Sequence, residues 1–479
     1  MPIYSIRGFT ISAIATLLLT GLAVVSAPGC KRTKPNSAKP EKSAPAAAIV
    51  PEKSLMPASA CPYGPGALPA QTLPADALQG DAIPIDHFVI VMQENRSFDH
   101  YFANLKSYGQ PDVDVAGPDA QNLDPDDGNA VVHPFLLPHP CSDDLPHDAK
   151  RVREQFHDGK MDEFVAVANR HGKEAMGRYD EKTLPFYYAL ANQFAIGDRY
   201  FASFLGPTWP NRMFFISGGS FGHISNVRPE KGDEGQSIFH QMETAGKSWI
   251  LYSDTETFEE QMFPVLRAEK GEHFHKMAHF FEDASQGTLP NLAWVESSYG
   301  GPMATDEHPP ADIELGQKFV ADVIKAVLKS PNWSRTALVF TYDEHGGFYD
   351  HVTPPPACAP DPHAPTAPKN HQIRFDHLGV RVPFVVVSPF AKRHYVSHKT
   401  YEHASVLRLV QTRFNLPAMT ARDANASPPY DLFDFANPPF VKPPSLPDPV
   451  VRQTELVYCE HEFESHRHRE ETILIPKAQ

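Results

Sequence analysis

The sequence predicts an α/β fold whose central sheet is mostly parallel and is covered by helices on both faces. Several short apolar runs lack the alternation of a half-exposed strand, which is typical of strands buried on both sides. Amphipathic segments of helical period lie between these runs, through residues 84–420. Such strand–helix alternation is typical of parallel sheets, because each crossover must return the chain to the same edge.

The apolar runs predict strands and the periodic segments predict helices. The helix 313–328 has the clearest pattern, with Val320, Val323 and Ile324 on one face. The chain has 479 residues, of which 41% are hydrophobic, so these elements can enclose a large core. The predicted strands are 88–92, 249–252, 292–295, 337–342 and 380–387, and the other predicted helices are 151–164, 181–194 and 401–414.

The formal net charge of −15 restricts the partners of the protein. A strongly acidic chain does not bind nucleic acid non-specifically, and it gains no electrostatic attraction to an anionic membrane. We therefore expect no nucleic-acid partner, and no feature of the sequence calls for an obligate protein partner.

Residues 1–29 are predicted to be a signal peptide. Arg7 supplies the positive charge, and an apolar stretch too short to span a bilayer comfortably follows it. Cys30 comes after small residues, as the lipidated cysteine of a bacterial lipoprotein does. An ordinary secretory signal with an incidental Cys30 is the alternative. Both interpretations predict export, to the periplasm, to a membrane through a lipidated Cys30, or into the medium.

The remaining chain is divided by composition into three parts. Residues 30–82 are rich in Pro, Ala and Lys and predict a flexible linker, residues 83–440 a catalytic domain, and residues 441–479 an irregular carboxyl-terminal tail. Besides Cys30 there are four cysteines, which in an oxidising compartment allow two disulfides in three connectivities. They are Cys61, Cys141, Cys358 and Cys459.

Polar side chains follow two of the predicted strands directly. Glu94 and Asn95 come after the strand 88–92, and Asp343 and Glu344 come after the strand 337–342. Ligands bind at the carboxyl ends of strands in α/β sheets. Two adjacent carboxylates repel each other unless a cation or a proton lies between them. Their oxygens suit a hard divalent cation, although carboxylates also bind zinc.

Thr208 precedes a predicted helix that begins at Pro210. Taken alone, this pattern favours a helix-capping threonine. The alternative is a nucleophile at the positive end of a helix, where free N–H groups can hold a phosphate. Two histidines, His147 and His308, would then donate hydrogen bonds to a phosphoryl oxygen or protonate a leaving alkoxide. No Walker-type loop, GxSxG or GxGxxG pattern supports another chemistry.

Several long motifs together resemble the bacterial phosphoesterase family that includes phospholipases C and an acid phosphatase. The resemblance covers about residues 84–440, in the order of the family. The motifs are ENRSFDHYF at 94–102, GPTWPNR at 206–212, DEHPP at 306–310, TYDEHGGFYDHVTPP at 341–355, GVRVPFVVVSPF at 379–390 and YEHASVLRLV at 401–410.

The resemblance implies an alkaline-phosphatase-like three-layer α/β/α sandwich with one divalent metal ion, Zn²⁺, Ca²⁺ or Mg²⁺. It implies that Thr208 is the nucleophile, as in the phospholipase-like members, and that His147 and His308 act catalytically around the phosphate. The implied metal ligands are Glu94, Asn95, Thr208, Asp343 and Glu344, and the implied substrate contacts are Asn95, His147, His308, His345 and His351.

We therefore expect an exported, metal-dependent phosphoesterase, of the phospholipase C type, that forms a phosphothreonine intermediate. Its substrate would be a phosphate ester, with phospholipid as one candidate. A phosphomonoesterase of the acid phosphatase type is the first alternative. A catalytically inactive binding protein on the same scaffold is the second.

Overall fold

The computed structural model describes residues 60–227, 237–263, 266, 271–360 and 373–474. The strands of these parts, β1 to β14 in chain order, are His87–Gln93, Asn122–Asp124, Ala130–Val132, Phe135–Leu136, Gly177–Arg178, Ala195–Gly197, Tyr200–Phe201, Trp249–Tyr252, Phe274–His275, Leu292–Val295, Thr336–Tyr342, Phe384–Val387, Tyr395–Ser397 and Tyr401–Glu402. The α-helices, α1 to α14, are Pro69–Thr72, Phe98–Phe102, Leu105–Tyr108, Ala149–Phe156, Phe164–Ala168, Pro185–Gln193, Thr208–Ser217, Ile238–Thr244, Phe258–Met262, Met277–Gln286, Ile313–Lys329, His403–Phe414, Ala421–Asn425 and Gln453–Leu474.

Eight strands form the central sheet, in the order β13-β6-β12-β11-β1-β10-β8-β9. Within the described residues, β12 is antiparallel to its neighbours β11 and β6, and the other neighbouring pairs are parallel. The sheet is therefore mostly parallel, as the sequence predicts. All five predicted strands are present, although the last begins at Phe384.

Helices cover both faces of this sheet. Trp294 in β10 is level with Val339 in β11, so Phe340 points to the opposite face from Trp294. Trp294 contacts Phe215 of α7, with ring centroids 5.1 Å apart, and Phe340 contacts Tyr187 of α6 at 4.9 Å. Helix α7 packs with α8, α9 and α12, whereas α6 packs with α11. The predicted α/β/α sandwich is thus confirmed.

Four predicted helices differ from the structure in their bounds, and the one predicted at 181–194 begins only at Pro185. The helix predicted at 151–164 is two helices, α4 and α5, because His157 and Asp158 adopt positive φ between them. The segment 401–414 begins with the short strand β14 before α12 starts. Helix α7 begins at Thr208 itself rather than at Pro210.

The flexible linker predicted at 30–82 is wrong for its described part, residues 60–82. This part contains helix α1, and the Cys61–Cys358 disulfide joins it to the catalytic domain. The Arg408 guanidinium also donates to the Thr72 hydroxyl. The sequence pattern did not predict these contacts because their partners lie more than 290 residues away. The signal peptide and residues 30–59 lie outside the described residues.

The tail predicted to be irregular at 441–479 contains helix α14, which the Cys141–Cys459 disulfide joins to the catalytic domain. An ion pair between Arg452 and Glu314, 2.6 Å from Nε to Oε1, adds a second attachment. No helix in the described part of the chain has the length and apolarity that a bilayer-spanning segment needs.

Candidate active site

The two predicted acidic clusters meet at the carboxyl edge of the sheet. Strands β1 and β11 are parallel neighbours, with Gln93 level with Tyr342, so the residues that follow emerge side by side. The Asn95 N–H donates to Asp343 Oδ1 at 3.1 Å. Glu94, Asn95, Asp343 and Glu344 are all buried. The structure therefore brings residues far apart in sequence to one edge, as the parallel sheet predicts.

A buried arginine that the sequence analysis did not single out lies between these carboxylates. Arg212 donates from Nε to Asp343 Oδ2 at 3.2 Å, and its Nη2 atom lies 3.5 Å from Glu94 Oε1. Its Nη1 atom donates to both oxygens of Glu296 at 3.0 Å. Glu296 directly follows strand β10, so the strand-end signal that identified Glu94 also applies to it. Arg212 thus supplies part of the positive charge that the paired carboxylates require.

The buried acceptor atoms at this edge that accept no hydrogen bond include Glu94 Oε1, Asn95 Oδ1 and Glu344 Oε1. A buried acceptor without a donor is costly, so such atoms are rare unless they bind something. Burial and the neighbouring Asp343 charge also raise the pKa of Glu94 well above its usual range. Carboxylate and amide oxygens are ligands of hard divalent cations. The free acceptors therefore fit a bound metal ion.

Asp343 differs from the other predicted ligands because both of its oxygens are bonded by the protein. Oδ1 accepts from the N–H groups of Asn95 and Glu344, and Oδ2 accepts from Arg212. The carboxylate oxygens of Glu94, Asp343 and Glu344 do not all lie within 4.8 Å of one another, whereas the ligand atoms of other acidic and histidine groups in the described residues do. Asp343 thus fixes Asn95 and Arg212 in position, and the free acceptors come from its neighbours.

Thr208 lies one helical turn before Arg212 in α7. Residues four apart share a helix face, so the Thr208 side chain is on the face that Arg212 directs to the carboxylates. Pro207 occupies the cap position of this helix, and no side chain makes a capping hydrogen bond there. The alternative in which Thr208 is only a helix cap is therefore wrong. Thr208 is buried at the amino end of α7.

The two predicted catalytic histidines lie together beside this edge. His147 Nδ1 donates to the Leu145 carbonyl at 2.6 Å, which leaves Nε2 3.3 Å from Asn95 Nδ2 and 3.6 Å from Glu344 Oε1. Burial opposes a charge on His147, but Glu344 and Asp144 outweigh it and raise the pKa to about 9. The rings of His147 and His308 are 6.1 Å apart. Asp144, which the sequence analysis did not name, lies with both histidines in one group.

A buried glutamate holds the loop that carries His308. Glu307 has a left-handed φ of 67°, which is unfavourable for a residue with a side chain. Its carboxylate accepts hydrogen bonds from the hydroxyls of Tyr101, Tyr187 and Tyr342. Arg96 donates to its carbonyl oxygen. These bonds fix the backbone that places His308 at the edge of the sheet.

His345 and His351, which the sequence analysis assigns to the substrate, are both bonded to protein groups. The buried ring of His345 reaches Gln155 Oε1 at 2.9 Å from Nε2 and Glu344 Oε2 at 3.2 Å from Nδ1. His351 reaches Asp99 at 2.6 Å and Asp114 at 3.1 Å. Neither ring has a nitrogen left for a substrate. His345 instead orients Glu344, and His351 belongs to a separate ion cluster.

Comparison with known proteins identifies the family. The model of the Phosphoesterase family matches residues 85–417. The chain is 36% identical to non-specific phospholipase C1 of Arabidopsis thaliana over 374 residues, which cover 71% of this chain and 69% of that one. It is 30% identical to phospholipase C B of Mycobacterium tuberculosis, over 77% of this chain and 81% of that one.

Solved structures resemble the chain more distantly. An alkaline phosphatase superfamily protein from Vibrio parahaemolyticus is 9% identical, with a TM-score of 0.33, over 76% of this chain and 96% of that one. This likeness carries no argument about function, which rests on the sequence relatives. The match across residues 85–417 and the related phospholipases show that the chain belongs to the Phosphoesterase family and is a hydrolase acting on phosphate ester bonds.

Proposed function

We propose that the protein is an exported, metal-dependent phosphodiesterase of the phospholipase C type, which forms a covalent intermediate on Thr208. The observation that carries the proposal is the set of donor-free acceptors on Glu94, Asn95 and Glu344. They lie beside His147, at an edge that helix α7 also reaches through Arg212.

The metal would be held by Glu94, Asn95 and Glu344, with Asp343 and Thr208 completing the set that the family resemblance implies. When bound, a divalent cation lowers the pKa of a nearby hydroxyl and neutralises charge on a phosphoryl oxygen. The all-oxygen donor set suits Mg²⁺ or Ca²⁺, and Zn²⁺ also accepts such ligands.

The remaining steps belong to side chains of this protein. Thr208 Oγ1, as its alkoxide, attacks phosphorus, and the bond from phosphorus to the alcohol oxygen breaks. His308 donates a proton to that departing oxygen. His147, with its raised pKa, holds a phosphoryl oxygen by a charged hydrogen bond. In the second step His308 takes a proton from the water that attacks phosphorus, and Thr208 leaves again as the alkoxide, so two displacements give net retention of configuration at phosphorus.

A phosphomonoesterase is the main alternative on the same residues. The related proteins are named phospholipases C, which favours a diester substrate. The ratio of rates on a phosphodiester and its matched monoester separates the two functions. An inactive binding protein is disfavoured because every expected ligand type stands at its matching position.

The decisive experiment combines metal analysis with trapping of the intermediate. We expect the purified protein to contain one divalent ion per chain, and chelation to abolish hydrolysis of a phosphodiester until the ion is restored. Acid quenching during turnover should trap on Thr208 the phosphoryl group of the substrate together with its remaining ester, detectable by mass spectrometry. A metal-free protein that hydrolyses the diester at full rate would refute the proposal.

Export is supported by the two disulfides, because such bonds persist in oxidising compartments. We expect cleavage of the chain before or near Cys30. A diacylglycerol group on Cys30, measured by mass spectrometry of the mature protein, would identify a lipoprotein. An unmodified amino terminus elsewhere would reject the lipid anchor, and an uncleaved chain would reject the signal peptide.

A further inference from the structure

One cavity extends from the candidate active site to the carboxyl-terminal helix. Its volume is about 340 Å³, near the lower end for sites that bind small molecules. Glu94, Asp306 and His308 line its catalytic end. Pro310 also lines it, as does Phe463 of helix α14 (Gln453–Leu474). The carboxyl-terminal helix is therefore part of the wall of this cavity.

Covalent and ionic contacts fix helix α14 in this position. The Cys141–Cys459 disulfide lies four residues before Phe463, so both residues are on one face of the helix. Near the start of the helix, the Arg452 guanidinium pairs with the buried Glu314. The His139 imidazole contacts Glu455 Oε2 at 2.8 Å. These three contacts hold the helix against the domain.

The lining of the cavity combines two kinds of chemistry. The carboxylates and the His308 imidazole are polar, whereas Phe258, Tyr299, Pro309, Pro310, Ala311 and Phe463 present apolar surface. If His308 protonates the departing oxygen, the alcohol part of the substrate starts beside His308. The carbon chain of such an alcohol would extend along the apolar lining residues, because they can bury it and the carboxylates cannot.

We propose that helix α14 is a substrate-binding wall, in which Phe463 contacts the apolar leaving alcohol of a phosphodiester, and that the Cys141–Cys459 disulfide holds this wall in place. The inference rests on the proposed function for the choice of alcohol. It assigns alcohol selectivity to a segment that follows the residues 85–417 matched by the family model.

Binding of two non-hydrolysable analogues tests the wall independently of catalysis. Both are choline esters of a phosphonate, in which a P–C bond replaces the P–O bond that the enzyme would break. The carbon belongs to a dihexanoylglycerol analogue in one and to a methyl group in the other. Calorimetry is done on the full mature chain loaded with its metal. Phe463→Ala should weaken binding of the dihexanoylglycerol analogue about fivefold or more, the size of a lost aromatic contact. The methyl analogue should change less than about twofold.

Val457→Ala is the matched control, because Val457 lies on the same helix and is exposed. It should change neither affinity. The proposal is overturned if Phe463→Ala weakens both analogues equally or weakens neither, or if the wild-type protein does not prefer the dihexanoylglycerol analogue. Hydrolysis of dihexanoylphosphatidylcholine is measured separately. A wild-type protein that binds with this selectivity but does not hydrolyse the lipid refutes the proposed function and retains the wall.

The Cys141→Ser/Cys459→Ser double variant tests the attachment. It should lose the preference for the dihexanoylglycerol analogue to a similar extent, while the Cys61–Cys358 disulfide and a cooperative thermal unfolding transition are retained. A folded double variant that keeps the full preference overturns the role of the disulfide.

Discussion

Two ion clusters, built from the same two motifs, differ in whether their polar atoms are satisfied. The first halves of the motifs supply Glu94 and Glu344, whose free oxygens lie at the active edge. The second halves supply Asp99 and Asp350, which bind the buried Arg381. We call the group of Asp99, Asp350, His351 and Arg381 the closed ion cluster.

Every carboxylate oxygen of the closed ion cluster accepts a hydrogen bond. Asp99 accepts from Ala116, His351 and Arg381, and Asp350 accepts from Asp99, Val352 and Arg381. A fully bonded set of charges makes a rigid structure and leaves no atom for a ligand. The comparison shows that two clusters of similar composition differ in whether their carboxylate oxygens accept hydrogen bonds from the protein.

Thr208→Val gives the largest expected effect, which is a loss of activity without a loss of stability. It keeps the shape of the side chain but removes the attacking oxygen, so kcat should fall at least about 10³-fold. The thermal unfolding temperature should stay close to that of the wild type. Thr208→Ser should retain part of the activity, since it offers the same atom. Steady-state kinetics on a phosphodiester measure both variants, and full activity of Thr208→Val would show that water attacks directly.

Arg381→Met should have the opposite profile. It leaves Asp99 and Asp350 buried without their cation, so the free energy of unfolding should fall by about 3–5 kcal/mol. Urea denaturation measures this loss. The triple variant Arg381→Met/Asp99→Asn/Asp350→Asn should recover part of it, because the unpaired charges are gone. Stability unchanged in Arg381→Met would mean that the closed ion cluster does not hold the fold together.

His345→Ala and His351→Ala form a matched pair that sharpens the comparison. His345 orients Glu344, so its removal should weaken metal affinity about 10- to 100-fold, as loss of a group that orients a ligand does. His351→Ala should leave the metal affinity unchanged. Competition with a chromophoric chelator measures both affinities. Equal losses in the two variants would contradict the separation of the clusters.

The smallest expected effect is a pH dependence of stability from His351. Burial disfavours its charged form, but the bond to Asp99 and the charges of Asp99 and Asp350 outweigh this and raise its pKa to about 9. A pKa raised above the unfolded value gives stability that is complete below about pH 6.5. This stability is lost as the pH rises through about 9.

Partial exposure of His351 screens the interaction, so we expect its contribution to be about 1 kcal/mol. The difference in unfolding free energy between the wild type and His351→Gln, measured from pH 6 to pH 10, should shrink as the pH rises. A difference that is constant over this range would show that His351 does not titrate there.

The sequence predicts the sheet and the meeting of Glu94 with Asp343, because buried parallel strands have a strong local pattern and their carboxyl ends share an edge. It does not separate His345 from His351, since both follow the same strand in the same glycine-rich motif. Only three-dimensional contacts show that one histidine bonds Glu344 and the other Asp99.

Long-range contacts explain the remaining differences. Arg212 lies within a recognised motif, but its ion pairs reach three separate strand ends and have no local signal. Helix α14 has charges on all sides, so its period predicts no buried face. Its position depends on Cys459, whose partner Cys141 is one of three that the sequence allows.

The connectivity of the two disulfides also favours a wrong cysteine pairing while the chain is still incomplete. Cys61 and Cys141 are consecutive cysteines, yet they pair with Cys358 and Cys459. If the chain is exported as proposed, amino terminus first, both of them enter the oxidising compartment before either partner. Oxidation at that stage would join Cys61 to Cys141, and this bond would have to be broken again by thiol–disulfide exchange. Efficient production of the protein should therefore depend on a disulfide isomerase rather than on an oxidant alone.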